Sequence, residues 1–209
     1  EFGNSCMGYD IPAAIGVRLA GAEKEVYVLM GDGNYQMHPM ELVTAMQERT
    51  KITILLNVNY GYQSIHGHQK ALVGHSLGNE FKIRDQESGL LDEGQFIEVD
   101  YAKNAESVGL KTWVANTEEE IRSALQEAKH EENSCLIVVP TEKYRSPPGS
   151  EVWWEVVGAE VTHDAKTKAL VEARGWPNQT AILLLSSGAS PPCKKSIGDH
   201  VLLSNLFII

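Results

Sequence analysis

Two short apolar runs, each stopping at a turn that carries an oxygen-bearing side chain, constrain this chain more than anything else in it. Val26-Tyr27-Val28-Leu29-Met30 stops at Gly31-Asp32-Gly33-Asn34, and residues 52–58 stop at Asn59-Tyr60-Gly61. Runs of this length, rich in β-branched residues and ended by glycine or asparagine, predict buried strands. In an open parallel sheet ligands gather at the carboxyl ends of the strands, which is where both turns fall. Glycine lets a backbone pass close to a phosphate, Asp32 offers a hard oxygen to a divalent cation, and Asn59 returns to the same edge with a second. Mg2+ takes few oxygens from protein and shares the rest with phosphates and water, so the pair suits a metal-diphosphate site. Gly-Asp-Gly alone is also a common structural turn, and Asn59 is what separates the two readings.

The rest of the chain alternates helices and strands, as a parallel sheet requires. We expect a helix over 11–20 opened by an early proline, a strand over 25–30, and a crossover helix over 39–48 whose Met40, Val43 and Met46 recur at helical spacing. A strand over 52–58 follows. Residues 60–95 carry glycines and histidines without periodicity and read as a long loop with at most a short helix, a length typical of functional lids. A helix over 101–108, a strand over 110–115, a helix over 117–129 and a strand over 135–139 complete the pattern. Thr117 with Glu120 forms a capping box, and Ile121, Ala124, Leu125 and Ala128 form the buried stripe behind it. The expected class is α/β, a three-layer open parallel sheet with helices on both faces.

A formal charge of −10 over 209 residues, with no dense Lys/Arg cluster, argues against a nucleic-acid binder. Cys6, Cys135 and Cys193 are odd in number and lack metal-ligand spacing, which favours a reducing, cytoplasmic setting. No signal peptide or membrane-length apolar run is visible. Absence of Gly-x-Gly-x-x-Gly after the first strand argues against a dinucleotide domain.

At Gly31-Asp32-Gly33 and Asn59 the chain resembles the thiamine-diphosphate-dependent enzymes, whose cofactor signature is Gly-Asp-Gly followed at this distance by Asn. The resemblance implies the thiamine-diphosphate-binding fold, here without its first strand. It implies that Asp32, Asn59 and the carbonyl of Gly61 hold Mg2+, while Gly31, Gly33 and Asn34 lie against the diphosphate. Val58 departs from the Asn or Asp often found there in the family, at a position that is not a metal ligand. Ser5-Cys6-Met7-Gly8-Tyr9-Asp10-Ile11-Pro12-Ala13-Ala14 resembles the family stretch before the cofactor strand. By that resemblance Met7 wedges between the cofactor's two rings and the Ser5 carbonyl faces the aminopyrimidine; a Met at a helix start otherwise fills a core.

Gly78-Asn79-Glu80-Phe81-Lys82-Ile83-Arg84, Val108-Gly109-Leu110-Lys111-Thr112, and Trp153-Trp154 followed by Gly158-Ala159-Glu160-Val161 resemble one branch of that family. Its members open a cyclic 1,2-diketone in inositol catabolism by cleaving a carbon–carbon bond. The Trp pair also reads simply as an aromatic anchor. An acetolactate-synthase-like enzyme shares the same cofactor half, and a non-catalytic phosphate-binding remnant is the reading from outside enzymology. Enzymes of this family need a second, pyrimidine-binding domain, usually from a neighbouring subunit, whose glutamate activates the cofactor. No segment here resembles it, so the resemblance implies the C-terminal part of a longer homo-oligomer, inactive by itself.

We expect a cofactor domain over 1–161, a helical extension over 162–174, and a divergent tail over 175–209. The apolar Leu206-Phe207-Ile208-Ile209 end shows no pattern for pairing with the domain, and an exposed end of that kind favours aggregation. His66, His68 and His75 match no zinc pattern. They read as solvated or substrate-facing loop residues, with His66 and His68 the candidates for acid–base work.

Overall fold

The structure, a computed structural model, describes residues 6–145, 163–173 and the backbone of 206–208. Strands β1 (Val26–Gly31), β2 (Thr53–Val58), β3 (Lys111–Val114), β4 (Cys135–Pro140) and β5 (Leu206–Ile208) form one sheet in the order β3-β4-β2-β1-β5. The first four are parallel, and β5 runs antiparallel to β1. The helices are α1 (Asp10–Leu19), α2 (Asp32–Met37), α3 (Glu41–Gln47), α4 (Gln63–Val73), α5 (Tyr101–Glu106), α6 (Glu118–His130) and α7 (Ala165–Ala173). Two compact units share the described residues. The larger draws on Glu1–His66, Leu77–Arg145 and Leu202–Ile209, the smaller on Gly67–Ser76 and Ser146–Val201.

Period-two alternation sends Val26, Val28 and Met30 of β1, Ile54, Leu56 and Val58 of β2, and Leu136 and Val138 of β4 to one face of the sheet. There they meet Ile11, Ala14 and Ile15 of α1, Leu42 and Ala45 of α3, and Tyr101 and Ala105 of α5. Each large aliphatic buried in this layer contributes about 1.5–3 kcal/mol. α6 packs on the opposite face, where its Ala124 lies in a small cluster with Ile137 and Ala115, bordered by Trp113, Ile121, Leu125 and Val139. Beside α6 an apolar groove of about 470 Å³ runs between Tyr27, Leu29 and Leu55 on the sheet and Leu125 and Lys129 on the helix.

The capping box at α6 is present: Thr117 Oγ1 accepts from the Glu120 N–H at 3.2 Å, and Glu120 Oε2 accepts from the Thr117 N–H at 3.2 Å. Thr117→Ala removes an acceptor from the exposed first turn. It is expected to lower unfolding free energy by about 1 kcal/mol, read as an earlier urea midpoint with an unchanged slope.

Four sequence expectations change. Gly-Asp-Gly is not a free-standing turn, because Asp32 is the first residue of α2. On α3 the buried residues are Leu42 and Ala45, while Met40 is 69% exposed, since the helix begins only at Glu41. The 60–95 stretch holds an 11-residue helix, α4, which periodicity missed because Gly67 and a mostly polar sequence blur its single buried position, His66. The chain end is not unpaired: Leu206, Phe207 and Ile208 align with Val28, Tyr27 and Val26. The outer edge of β1 presents free backbone N–H and C=O groups, which template an added strand irrespective of side-chain pattern. Trp153, Trp154, Gly158 to Val161, and Cys193 lie outside the described residues, as does Ser5.

Candidate functional site

Register brings the two turns together. Gly31 of β1 pairs with Asn57 of β2, so Asp32 leaves the sheet beside Val58 and Asn59. Asp32 is fully buried; its Oδ1 accepts from the Gly33 N–H at 3.0 Å and its Oδ2 from the Tyr60 N–H at 2.7 Å. One head atom of the Asn59 amide lies 3.1 Å from Asp32 Oδ1 and 2.9 Å from the Gly61 carbonyl oxygen. Both neighbours are acceptors. As placed, the amide oxygen faces both and makes a trio of oxygens with them; turned over, the amide NH2 end donates to both.

Burial pushes the Asp32 carboxyl above its ordinary value, against the pull of backbone N–H groups from Tyr60, Gly33, Gly61 and Asn59. A carboxylate desolvated this way is suited to a metal ion. Among the described residues no three His, Cys, Asp or Glu side chains converge as a metal site. The donor set here, one carboxylate, one amide and one carbonyl, is of the hard-oxygen kind.

Tyr60 sits at φ 63°, a left-handed conformation that non-glycine residues seldom adopt. Several contacts hold it there. Its N–H bonds Asp32, its ring lies 5.4 Å from Phe96, Lys143 Nζ stands 4.3 Å above that ring, and its hydroxyl donates to Glu98 at 3.3 Å. The local strain is over-determined by its surroundings, as is common at binding sites. A Cβ on Gly33 would fall 2.6 Å from the Tyr62 ring, whereas at Gly31 nothing lies within 4 Å, leaving that backbone open to a ligand.

Asn34 is turned toward α1: its Nδ2 donates to the buried Asp10 Oδ2 at 3.0 Å. Met7 is 40% exposed rather than core filler, and the Met7-Gly8 turn abuts Met37 and His38 at the end of α2. Asp32, Gly33, Asn59 and Gly61 are thus brought into one place, with Gly31 and Asn34 adjoining them in the chain.

The histidines separate. His66 is buried on α4, its ring centroid 5.7 Å from that of Tyr144 and its Nδ1 3.9 Å from Glu80 Oε2, so it is not a solvated loop residue. His68 is exposed on the same helix, and His75 is half-buried with Nδ1 3.2 Å from the Val73 carbonyl. Neither candidate acid–base histidine contacts Asp32.

Sequence reasoning marked Glu80 as part of a resemblance and assigned it nothing, yet Glu80 centres a buried polar cluster. Lys82 Nζ lies 2.9 Å from its Oε2, and the Tyr144 hydroxyl donates to its Oε1 at 2.8 Å. Burial by itself would raise the Glu80 carboxyl, but hydrogen bonds from Lys82 and Tyr144 and the charges of Lys82 and His66 outweigh it and hold it below its ordinary 4.5. A depressed folded-state value stabilises the fold above the unfolded value and loses that contribution as pH falls through the folded one. Glu80→Gln is therefore expected to flatten the loss of thermal stability below about pH 4.5, measured by melting across a pH series.

Comparison with known proteins bears on the family and the fold. A family model described as "Thiamine pyrophosphate enzyme, C-terminal TPP binding domain" matches residues 1–139. The 3D-(3,5/4)-trihydroxycyclohexane-1,2-dione hydrolase of Clostridium tetani is 40% identical over 174 residues, which is 83% of this chain and 27% of that protein. A Bacillus cereus hydrolase of the same name, numbered 1, matches with the same identity and coverage. The chain thus spans about a quarter of the length of these relatives. Among solved structures, a thiamine diphosphate-dependent 4-hydroxybenzoylformate decarboxylase from Rhodococcus jostii superposes with a TM-score of 0.55 at 26% identity, covering 65% of this chain and 23% of that one. A thiamin diphosphate-dependent enzyme from Mycobacterium smegmatis gives 0.50 at 20% identity, over 66% of this chain and 22% of the other, and speaks to the fold alone.

Proposed function

Because this chain belongs to the thiamine pyrophosphate enzymes, through their C-terminal TPP binding domain, we propose that it holds thiamine diphosphate and Mg2+ for hydrolytic cleavage of a carbon–carbon bond in a cyclic 1,2-diketone. The observation that carries the metal reading is the oxygen trio. Asp32 Oδ1, the Asn59 amide oxygen in its inward orientation, and the Gly61 carbonyl are spaced 3.1 and 2.9 Å apart along the trio. An octahedron with Mg–O bonds of about 2.05 Å has edges of about 2.9 Å. The residues therefore fit the ion, and its charge offsets the desolvation that raises the Asp32 carboxyl.

Gly31, Gly33 and Asn34 flank the diphosphate in this reading, with Asn34 held in place by Asp10. Met7 and the Ser5 carbonyl serve the ring end of the cofactor. When bound, thiamine diphosphate supplies a thiazolium carbon that adds to a carbonyl and accommodates the electron pair of the broken carbon–carbon bond. This chain's residues bind and orient: Asp32 and Asn59 fix the ion, and the left-handed Tyr60 aims the following carbonyl at it. The activating glutamate belongs to a pyrimidine-binding domain, contributed across a homo-oligomer interface in the cytoplasm. The substrate class rests on the relatives' printed names and on the Gly78–Arg84 segment, and ring opening in inositol catabolism is the role it suggests.

The direct test is calorimetry of thiamine diphosphate into the folded 209-residue chain with and without Mg2+. Binding that appears only with Mg2+ is expected; a folded chain that binds under neither condition overturns the cofactor reading. Turnover of a cyclic 1,2-diketone but not of pyruvate, by the protein that carries this segment with its pyrimidine-binding domain, is the result expected for the substrate class. The reverse preference would assign it to the acetolactate-synthase-like branch.

A further inference from the structure

Behind the oxygen trio a second segment is fused to the Gly61 turn. Gly61 and Glu80 form an isolated antiparallel bridge, with the Tyr62 N–H donating to the Asn79 carbonyl at 2.7 Å and the Phe81 N–H donating to the Tyr60 carbonyl at 2.9 Å. These two bonds flank Gly61. The backbones approach so closely that a Cβ on Gly61 would lie 2.3 Å from the Asn79 carbonyl oxygen and 2.9 Å from the Glu80 Cα. A rotation of the 60–61 peptide that moved the Gly61 carbonyl would therefore also have to move the Glu80 backbone.

The Glu80 backbone is itself anchored by its side chain. The carboxylate is 5% exposed, paired with Lys82 Nζ at 2.9 Å, and hydrogen-bonded by the Tyr144 hydroxyl at 2.8 Å. The Tyr144 ring lies tilted beside that of His66, whose backbone N–H donates to the Tyr62 carbonyl at 2.9 Å. Lys82 Nζ is held as well: it donates to the Asp92 carbonyl at 3.0 Å and stands 4.7 Å above the Phe96 ring. The anchoring groups thus come from α4, from the 79–82 strap, from the 90–98 segment and from the stretch after β4, all within the larger unit.

A buried ion pair adds little to stability over an apolar substitute, but breaking it leaves an uncompensated charge and a choice of geometries. Its contribution here is orientation. We propose that Glu80 is a positioning residue for the cation site: held by Lys82 and Tyr144, it locks the 79–82 strap against Tyr60–Tyr62 and so aims the Gly61 carbonyl toward Asp32 and Asn59. This inference rests on the Mg2+ reading above and extends it to residues that touch neither ion nor cofactor.

The test compares Mg2+ affinity, measured by calorimetry in the presence of thiamine diphosphate, across variants of the full chain. Groups that orient metal ligands change affinity by roughly 10–100-fold, so Glu80→Ala is expected to weaken Mg2+ binding at least tenfold, in line with that range. Glu80→Gln, which keeps an acceptor for Tyr144 and Lys82, is expected to recover most of it. Thr117→Ala serves as the control for lost stability alone, since α6 is remote from these contacts, and its Mg2+ affinity is expected to match wild type. Tyr144→Phe removes one hydrogen bond to Glu80 with little change in volume and decides the matter if Glu80→Ala does not fold; it is expected to weaken Mg2+ binding measurably.

If wild type binds with Mg2+, Asp32→Ala does not, and the Glu80 and Tyr144 variants bind like wild type, the positioning role is overturned and the site survives. If the folded wild type shows no Mg2+-dependent binding, the site reading falls and this inference falls with it.

Discussion

Asp32→Ala is expected to leave the chain folded and to remove its Mg2+-dependent affinity for thiamine diphosphate. The carboxylate is the only charged member of the oxygen trio, so its loss takes away both the charge that attracts the ion and one corner of its coordination. A fall of at least about 100-fold, or about 2.7 kcal/mol, is expected. The unliganded protein changes less. The Gly33 and Tyr60 N–H groups lose their acceptor, at about 1–3 kcal/mol for each donor left unsatisfied. Removal of a carboxylate that burial has already raised offsets part of that loss. Asp32→Asn sharpens the test, because the amide keeps one oxygen for the Tyr60 N–H while carrying no charge. Melting without ligand should place it near wild type, and calorimetry should place it with Asp32→Ala. Binding by Asp32→Ala within threefold of wild type would remove Asp32 from the metal site.

Gly61→Ala should cost clearly more stability than Gly33→Ala. Its Cβ would lie 2.3 Å from the Asn79 carbonyl oxygen and 2.9 Å from the Glu80 Cα, and both are backbone atoms tied by the bonds that flank Gly61. Neither can rotate away as a side chain would, so the strap and the turn must part. Overpacking of this kind costs about 1–3 kcal/mol and occasionally more, and here it also misaligns a carbonyl proposed to face the ion. The matched control is Gly33→Ala, whose Cβ would meet only the Tyr62 ring at 2.6 Å. An aromatic ring can shift by a rotamer change, so the smaller loss of melting temperature should fall at Gly33. Equal losses at the two glycines would show that the strap yields easily and that Gly61 is not clamped by it.

The parallel strands were readable from the chain because they are short and, in β1, β2 and β4, buried. Residues 26–31, 53–58 and 135–140 appear as β-rich apolar runs, 111–114 as a short stretch with Thr, Trp and Val, and each parallel strand emerges within two residues of its expected bounds. α6 was equally plain, since Thr117 and Glu120 cap each other locally and Ala124 and Ala128 repeat at helical spacing. α3 was placed but turned wrongly: the methionines suggested one stripe, and burial in the layer shared with α1 and the sheet selected Leu42 and Ala45 instead. Periodicity ranks hydrophobic residues, whereas the sheet beneath selects those whose size and direction suit its surface.

Local sequence determined the parallel strands, the capped helix and the two turns that carry Asp32 and Asn59, because each depends on residues close together in the chain and on a simple repeat of polarity. Only tertiary structure decided what surrounds those turns. The pairing of Gly31 with Asn57 puts Asp32 beside Asn59, and the 79–82 strap, arriving from a stretch with no periodic signal, closes on Gly61 from behind. His66, the Glu80–Lys82 pair and Tyr144 come from three separate stretches of the chain and are individually ordinary, so nothing short of the folded arrangement brings them together. β5 is the same case at the other edge: backbone hydrogen bonding adds it to β1, and backbone donors and acceptors are common to every residue but proline and leave no trace in a pattern of side chains.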